Sequence, residues 1–143
     1  AKSGTWMRWF RTFLEGLGAR VREIDPVEHD WLMGTVQVLR HLLVFCFGRS
    51  LMRLQYDVSS DLAFSGAWFS QLMDMVRNQV SENPGLYAEL AFPNPMTDEV
   101  ISCFADEVEG MCAAYRSRDR NALIGKITEL ASYMDSQSPV PDK

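Results

Sequence analysis

The sequence of 143 residues is poor in the side chains that usually build catalytic and metal centres, with two histidines and three cysteines. Cys46, Cys103 and Cys112 are odd in number, and their spacing fits no zinc-binding pattern. Each lies among apolar neighbours, so we expect buried free thiols in a reducing compartment. No Gly-rich dinucleotide motif and no P-loop occurs in the sequence.

Long hydrophobic runs and excess positive charge are also missing. The most apolar stretch, residues 42–47, is far shorter than the roughly 20 residues of a membrane span, and no basic segment followed by an apolar one opens the chain. A cytoplasmic protein without a membrane segment is the expectation. The sequence contains 14 Lys and Arg and 19 Asp and Glu, so its net charge is −5. This acidic balance argues against a nucleic-acid partner.

The composition is nevertheless that of a folded domain, with 47% hydrophobic and 23% charged residues. The length fits one domain and excludes a two-domain enzyme, because a nucleotide-binding half alone needs roughly 100 residues.

Apolar residues recur at helical spacing along most of the chain, which predicts an all-α fold of five to six helices. Asp25 followed by Pro26 is a strong helix start, and Gly48 is the expected end of that helix. Caps are predicted at residues 59–61, at Asn83 and at Asp119, and residues 136–143 are predicted to be a frayed tail. The predicted helices cover about residues 6–17, 26–47, 61–82, 84–90, 97–115 and 120–134.

Two features of this pattern predict a partner. Residues 20–24 look like one short strand that has no second strand to pair with. The helix after Asp25 is apolar on nearly every side in its second half, which is typical of a central, buried helix. A second copy would cover such a helix more easily than this small domain, so we expect a homodimer.

One polar line runs along this otherwise apolar helix, since at about 100° per residue four polar or small positions share a stripe. It comprises Asp30, Gly34, Gln37 and His41, flanked by His29 and Arg40. Buried polar groups need partners, so the line either pairs across an interface or lines a cleft for a polar ligand. Alternatively, His41 is a hydrogen-bonded structural residue, and Asp30 only interacts favourably with the dipole at the start of the helix.

Other chemistry is not supported by the residues. His29 and His41 are about 18 Å apart along a helix, too far for one metal ion. No pair of a nucleophile and a base is evident, so no catalytic residue is predicted in this chain.

Several short segments together resemble one known family. Glu28-His29-Asp30, Gln37 and Leu39-Arg40-His41 look like the start of the C-terminal domain of prephenate dehydrogenases. The run from Asn83 to Glu89 resembles that family's segment after its next long helix.

The resemblance implies a helical domain that forms a dimer and joins an N-terminal Rossmann domain. The family oxidises prephenate or arogenate with NAD or NADP, losing carbon dioxide, on the way to tyrosine. Residues 1–24 then resemble the end of the nucleotide-binding domain, residues 25–135 the dimerisation and substrate domain, and residues 136–143 a flexible tail. The cofactor and the hydride chemistry would belong to the missing domain, so the chain should be inactive alone.

The resemblance also assigns residues. His41 carries over as the substrate-facing histidine, and Asp30 and Gln37 carry over as polar cleft or interdomain residues. We expect Gln37 to bind substrate with His41, and His29 and Gly34 to lie with Asp30 in the cleft or between domains. One departure concerns the arginine that the family usually has on the long helix to bind a substrate carboxylate. Asn78 occupies that position here, with Arg77 one residue earlier, and an asparagine cannot replace a bidentate guanidinium. Either Arg77, Arg40 or another cation substitutes, or the ligand differs.

Three alternatives therefore remain beside a prephenate dehydrogenase-like domain. The substrate is an amino analogue such as 4-amino-4-deoxyprephenate; the domain is a non-catalytic helical dimer; or it is a sensor of an aromatic amino acid such as tyrosine.

Overall fold

The computed structural model describes residues 2–58 and 66–137, and these form an all-α fold. The elements are α1 Lys2–Gly16, α2 Pro26–Met33, a π-helical segment Gly34–Leu39, α3 Arg40–Arg53, α4 Ala67–Val80, α5 Pro84–Ala91, α6 Thr97–Ser117 and α7 Arg120–Gln137. Because α2, the π-helical segment and α3 form one continuous helix, Pro26–Arg53, the described residues contain six helices. The predicted fold class is confirmed.

Side-chain caps begin the helices where the sequence predicts them. The Asp25 carboxylate accepts a hydrogen bond from the backbone N–H of Glu28 at 2.9 Å. The Asp119 carboxylate accepts from the backbone N–H groups of Asn121 and Ala122, both at 3.0 Å. These bonds satisfy N–H groups that have no partner within the helix. The predicted caps at residues 59–61 and most of the predicted tail lie outside the described residues.

The predicted strand at residues 20–24 is wrong. Residues 19–25 have no regular secondary structure, because a strand needs a ladder partner and the described residues provide none. The segment instead lies along α1, where Arg11 pairs with Glu23 at 3.3 Å. Gly18, with φ +85°, ends α1 as expected.

The predicted end of the long helix at Gly48 is also wrong, since α3 continues to Arg53. Gly48 serves the packing against α4, because a Cβ atom at this position would lie 3.0 Å from Cγ1 of Val76. A glycine in a helix interior thus marks a close approach of two helices here and not a stop.

The π-helical segment lies at the centre of the fold. It contacts α5 and α6, while α3 packs on α4, and α6 on α7. The buried apolar side chains are few: Val38, Val44, Met73 and Ala114. The prediction that the long helix is buried all round is wrong for the single chain, because its own helices leave Val36 55% exposed.

The cysteines do not match the prediction of burial. All three are free thiols, but Cys46 and Cys103 are exposed and Cys112 is half-buried. They lie on sides of α3 and α6 that the rest of this chain does not fully cover, so apolar neighbours in sequence did not indicate burial.

The helix Pro26–Arg53 is long and apolar enough to cross a membrane by length and composition alone. The prediction from sequence considered only its short apolar run. Core helices of soluble proteins pass the same criterion, and this helix carries a buried histidine at its middle.

We predict that Gly34→Ala destabilises the fold, because the added Cβ would lie 3.0 Å from Cβ of Met96, an atom that cannot move without its backbone. The expected loss is about 1–3 kcal/mol of unfolding free energy. Gly125→Ala in α7 is the matched control, since its Cβ meets nothing within 4 Å and alanine favours a helix by up to about 1 kcal/mol. Urea unfolding measures both, and equal stability of the two variants would contradict the close packing at Gly34.

Candidate ligand site around His41

The π-helical segment determines which side of the long helix faces its neighbours. Its hydrogen bonds span five residues, which widens the helix and shifts the angular positions of the following side chains. Gly34 is buried against α6, and the Asn94 side chain donates to the Asp30 carbonyl at 2.9 Å. The N-terminal end of α6 is therefore held against the long helix one turn before the polar residues of α3. Single π turns occur frequently at functional sites.

His41 is the one described polar residue that is buried, with 8% of its surface exposed. The Tyr87 ring from α5 meets the imidazole edge-on at a centroid distance of 4.8 Å. Phe45, one turn along α3, contacts the same Tyr87 ring at 4.8 Å. The imidazole is thus held by aromatic contacts from two helices.

A cavity of about 250 Å³ opens beside this cluster. Most of its walls are apolar or aromatic and come from three helices. They comprise Val38, His41, Leu42, Phe45, Tyr87, Ala88, Ala91, Phe92, Thr97 and Ile101. A concave, apolar site with few polar groups is the usual form of a small-molecule pocket.

The polar groups of this site are mostly engaged. The Tyr87 hydroxyl donates to the Gln79 carbonyl at 2.5 Å, and the Thr97 hydroxyl donates to the Ala91 carbonyl at 2.5 Å. Nη2 of Arg40 lies 2.8 Å from Nε2 of His41. Burial, and secondly the Arg40 charge, lower the pKa of His41 below its usual value of 6.5, so the ring is neutral at physiological pH.

The residues of the predicted polar line differ in burial and in their contact with the cavity. Gly34 and His41 are buried, whereas Gln37 is half-buried and is not among the residues that line this cavity. His29 is exposed, and its Nδ1 lies 3.2 Å from a carboxylate oxygen of Asp30. The π-helical segment between Gly34 and His41 turns by less than about 100° per residue, so the angles between these side chains differ from those of a regular α-helix.

The two candidate substrate-binding residues on α4 lie at the surface. Arg77 is exposed and pairs with Asp74 at 3.1 Å. Asn78 is exposed as well, and its backbone carbonyl accepts from the Ser81 hydroxyl at 2.7 Å. Neither side chain lines the His41 cavity. Arg40 is exposed and does not line it either, but it is the predicted cation that contacts His41.

Sequence reasoning missed Tyr87, Phe45 and Thr97 as parts of this site. Tyr87 lies within the segment after Asn83 that carried the family resemblance, so that signal was available. Phe45 and Thr97 were assigned only to a helix stripe and a helix start. The described residues contain no group of three or more His, Cys, Asp or Glu suited to a metal ion.

Comparison with known proteins decides the family. The family model described as prephenate dehydrogenase, dimerization domain, matches residues 25–133. The chain belongs to the prephenate dehydrogenase family. The matched region begins at the Asp25 cap and includes α2 to α6 and most of α7, so the His41 site lies within this domain.

Curated relatives agree with this assignment. The chain is 26% identical over 137 residues to a "Probable arogenate/prephenate dehydrogenase" of Methanocaldococcus jannaschii, covering 96% of this chain and 31% of that protein. It is 25% identical to the "T-protein" of Enterobacter agglomerans, covering 88% of this chain and 34% of that protein. The chain therefore spans about a third of the length of these relatives. No solved structure matches it.

We predict that His41 makes the stability of this domain depend on pH. Its pKa is lowered in the folded state, so below about pH 6.5 the unfolded chain binds a proton that the folded chain does not. Stability present at about pH 7.5 should fall as the pH drops towards 5.5. Over this pH range the thermal unfolding temperature of His41→Asn should fall less than that of the unchanged chain.

The matched control is His29→Asn, because His29 is exposed and should leave the fall unchanged. An equal pH dependence in all three proteins would contradict a buried, neutral His41.

Proposed function

We propose that this chain is the dimerisation and substrate-binding domain of a prephenate dehydrogenase-like oxidoreductase, which carries out NAD(P)-dependent oxidative decarboxylation in tyrosine biosynthesis. The observation that carries the proposal is a buried histidine that lines an apolar cavity and is contacted by Arg40 from outside the cavity wall, in a chain of this family. The apolar walls suit a six-membered ring, and the Arg40–His41 pair suits a carboxylate. The proposed location is the cytoplasm.

The cofactor does not fit the described residues of this chain. Binding of NAD or NADP by a Rossmann domain needs a Gly-rich turn between a strand and a helix, and residues 2–58 and 66–137 contain no strand. We therefore propose that another part of the protein holds the cofactor. In this proposal residues 1–24 adjoin that part, residues 25–135 form the present domain, and residues 136–143 are its tail.

A homodimer is proposed from the surface of the chain. Among the described residues, α7 carries a row of apolar side chains that this chain does not cover, in which Ile124, Ile127 and Leu130 are 47%, 52% and 59% exposed. An exposed apolar row of this kind suits an interface with a second copy.

Sedimentation equilibrium at micromolar concentration should give twice the mass of one chain. Ile127→Glu places a charge on the apolar side of α7 and should raise the dimer dissociation constant about tenfold or more. Ser132→Glu, on the opposite side of α7, is the matched control and should leave the dimer intact. A monomer for the unchanged chain would refute the dimer, whereas equal effects of both variants would place the interface elsewhere.

Ligand binding tests the proposed site and its alternatives together. Prephenate should raise the thermal unfolding temperature, and Asn78→Arg should leave or improve its affinity, because the family's arginine would be restored. A loss of binding on Asn78→Arg would show that Asn78 is adapted to another ligand such as the amino analogue. A shift with tyrosine alone would favour the aromatic amino acid sensor.

Absence of a shift with both ligands, together with a stable dimer, would favour the non-catalytic helical dimer. Gln71→Arg, at an exposed position on the same helix, is the control for an added charge, and it should not change the affinity for prephenate.

A further inference from the structure

We propose that Arg40 is a positioning residue for His41: its contact fixes the imidazole as the Nδ1–H tautomer, so that the ring presents one defined N–H donor to an anionic ligand. This inference rests on the proposed ligand site, but its first test does not depend on any ligand.

The tautomer follows from the chemistry of the contact. A guanidinium group has N–H donors and no acceptor. The 2.8 Å contact between Nη2 of Arg40 and Nε2 of His41 therefore requires a lone pair on Nε2. The buried ring is neutral, because its pKa is lowered, so its single proton resides on Nδ1.

This N–H is left for a ligand. Nδ1 of His41 makes no hydrogen bond among the residues that the structure describes, whereas the hydroxyl protons of Tyr87 and Thr97, the other polar side chains of the cavity wall, are both donated to backbone carbonyls. A ligand oxygen in the cavity would thus find its donor at His41.

Arg40 itself is exposed and does not line the cavity. Within residues 2–58 and 66–137 it forms no ion pair with a carboxylate, while Arg77 and Lys126 pair with Asp74 and Glu107. One guanidinium nitrogen contacts His41. The effect of Arg40 on a ligand in the cavity therefore acts through His41.

The first experiment measures the tautomer directly by long-range ¹H–¹⁵N NMR of the chain labelled on histidine, at a pH of about 7.5. The unchanged chain should show protonated Nδ1 at His41. Arg40→Gln should lose this preference, and Arg40→Lys, which retains a cationic donor, should restore most of it. Arg49→Gln, an exposed arginine on the same helix, is the matched control and should behave as the unchanged chain.

A protonated Nε2 in the unchanged chain, or an unaltered tautomer in Arg40→Gln, would overturn the proposal. Far-UV circular dichroism and the unfolding temperature of each variant establish that it is folded before the tautomer is compared.

The second experiment measures prephenate affinity by calorimetry. Arg40→Gln should weaken binding by about tenfold, because the oriented donor on His41 is lost, and Arg49→Gln should bind normally. Normal binding by Arg40→Gln would overturn the claim that the tautomer fixed by Arg40 serves the ligand. If the unchanged chain binds no prephenate, the proposed substrate fails, and the tautomer measurement alone decides the role of Arg40.

Discussion

The close contact between Gly34 and α6 is the constraint on which the remaining arrangement depends. A side chain at this position would meet Met96 at 3.0 Å, so only a glycine lets the π-helical turn approach α6. In the loop before α6, the Asn94 side chain donates a hydrogen bond to the Asp30 carbonyl, which also holds α6 close to the long helix. With α6 fixed there, Thr97 and Ile101 come to the cavity beside His41, and the histidine is removed from water.

His41 is buried, and the side chain that contacts its Nε2 atom is the cation Arg40. Burial disfavours the imidazolium, and the neighbouring Arg40 charge disfavours it further. A histidine of this kind serves as a neutral hydrogen-bonding group and not as a proton reservoir near neutral pH. The arrangement therefore suits recognition of a ligand, in agreement with a chain that spans about a third of its dehydrogenase relatives.

Much of the fold was predictable because it follows from local chemistry. Asp25, Asn83 and Asp119 each begin a helix through a side-chain bond to a backbone N–H, and such bonds depend on adjacent residues only. The strand at residues 20–24 and the stop at Gly48 were wrong, because a strand requires a ladder partner and Gly48 is used for contact with Val76. The partners of His41 depend on tertiary packing and on a π-helical turn that no local signal indicated.

In the proposed function, this domain of the prephenate dehydrogenase family binds its ligand in the cavity beside His41. Chemical-shift mapping of the isotopically labelled chain with prephenate tests this site most directly. The largest shifts are expected at His41, Phe45 and Tyr87. Shifts confined to the separate cavity of about 340 Å³ near Trp31 and Cys103, or no shifts at saturating prephenate, would contradict the proposed site.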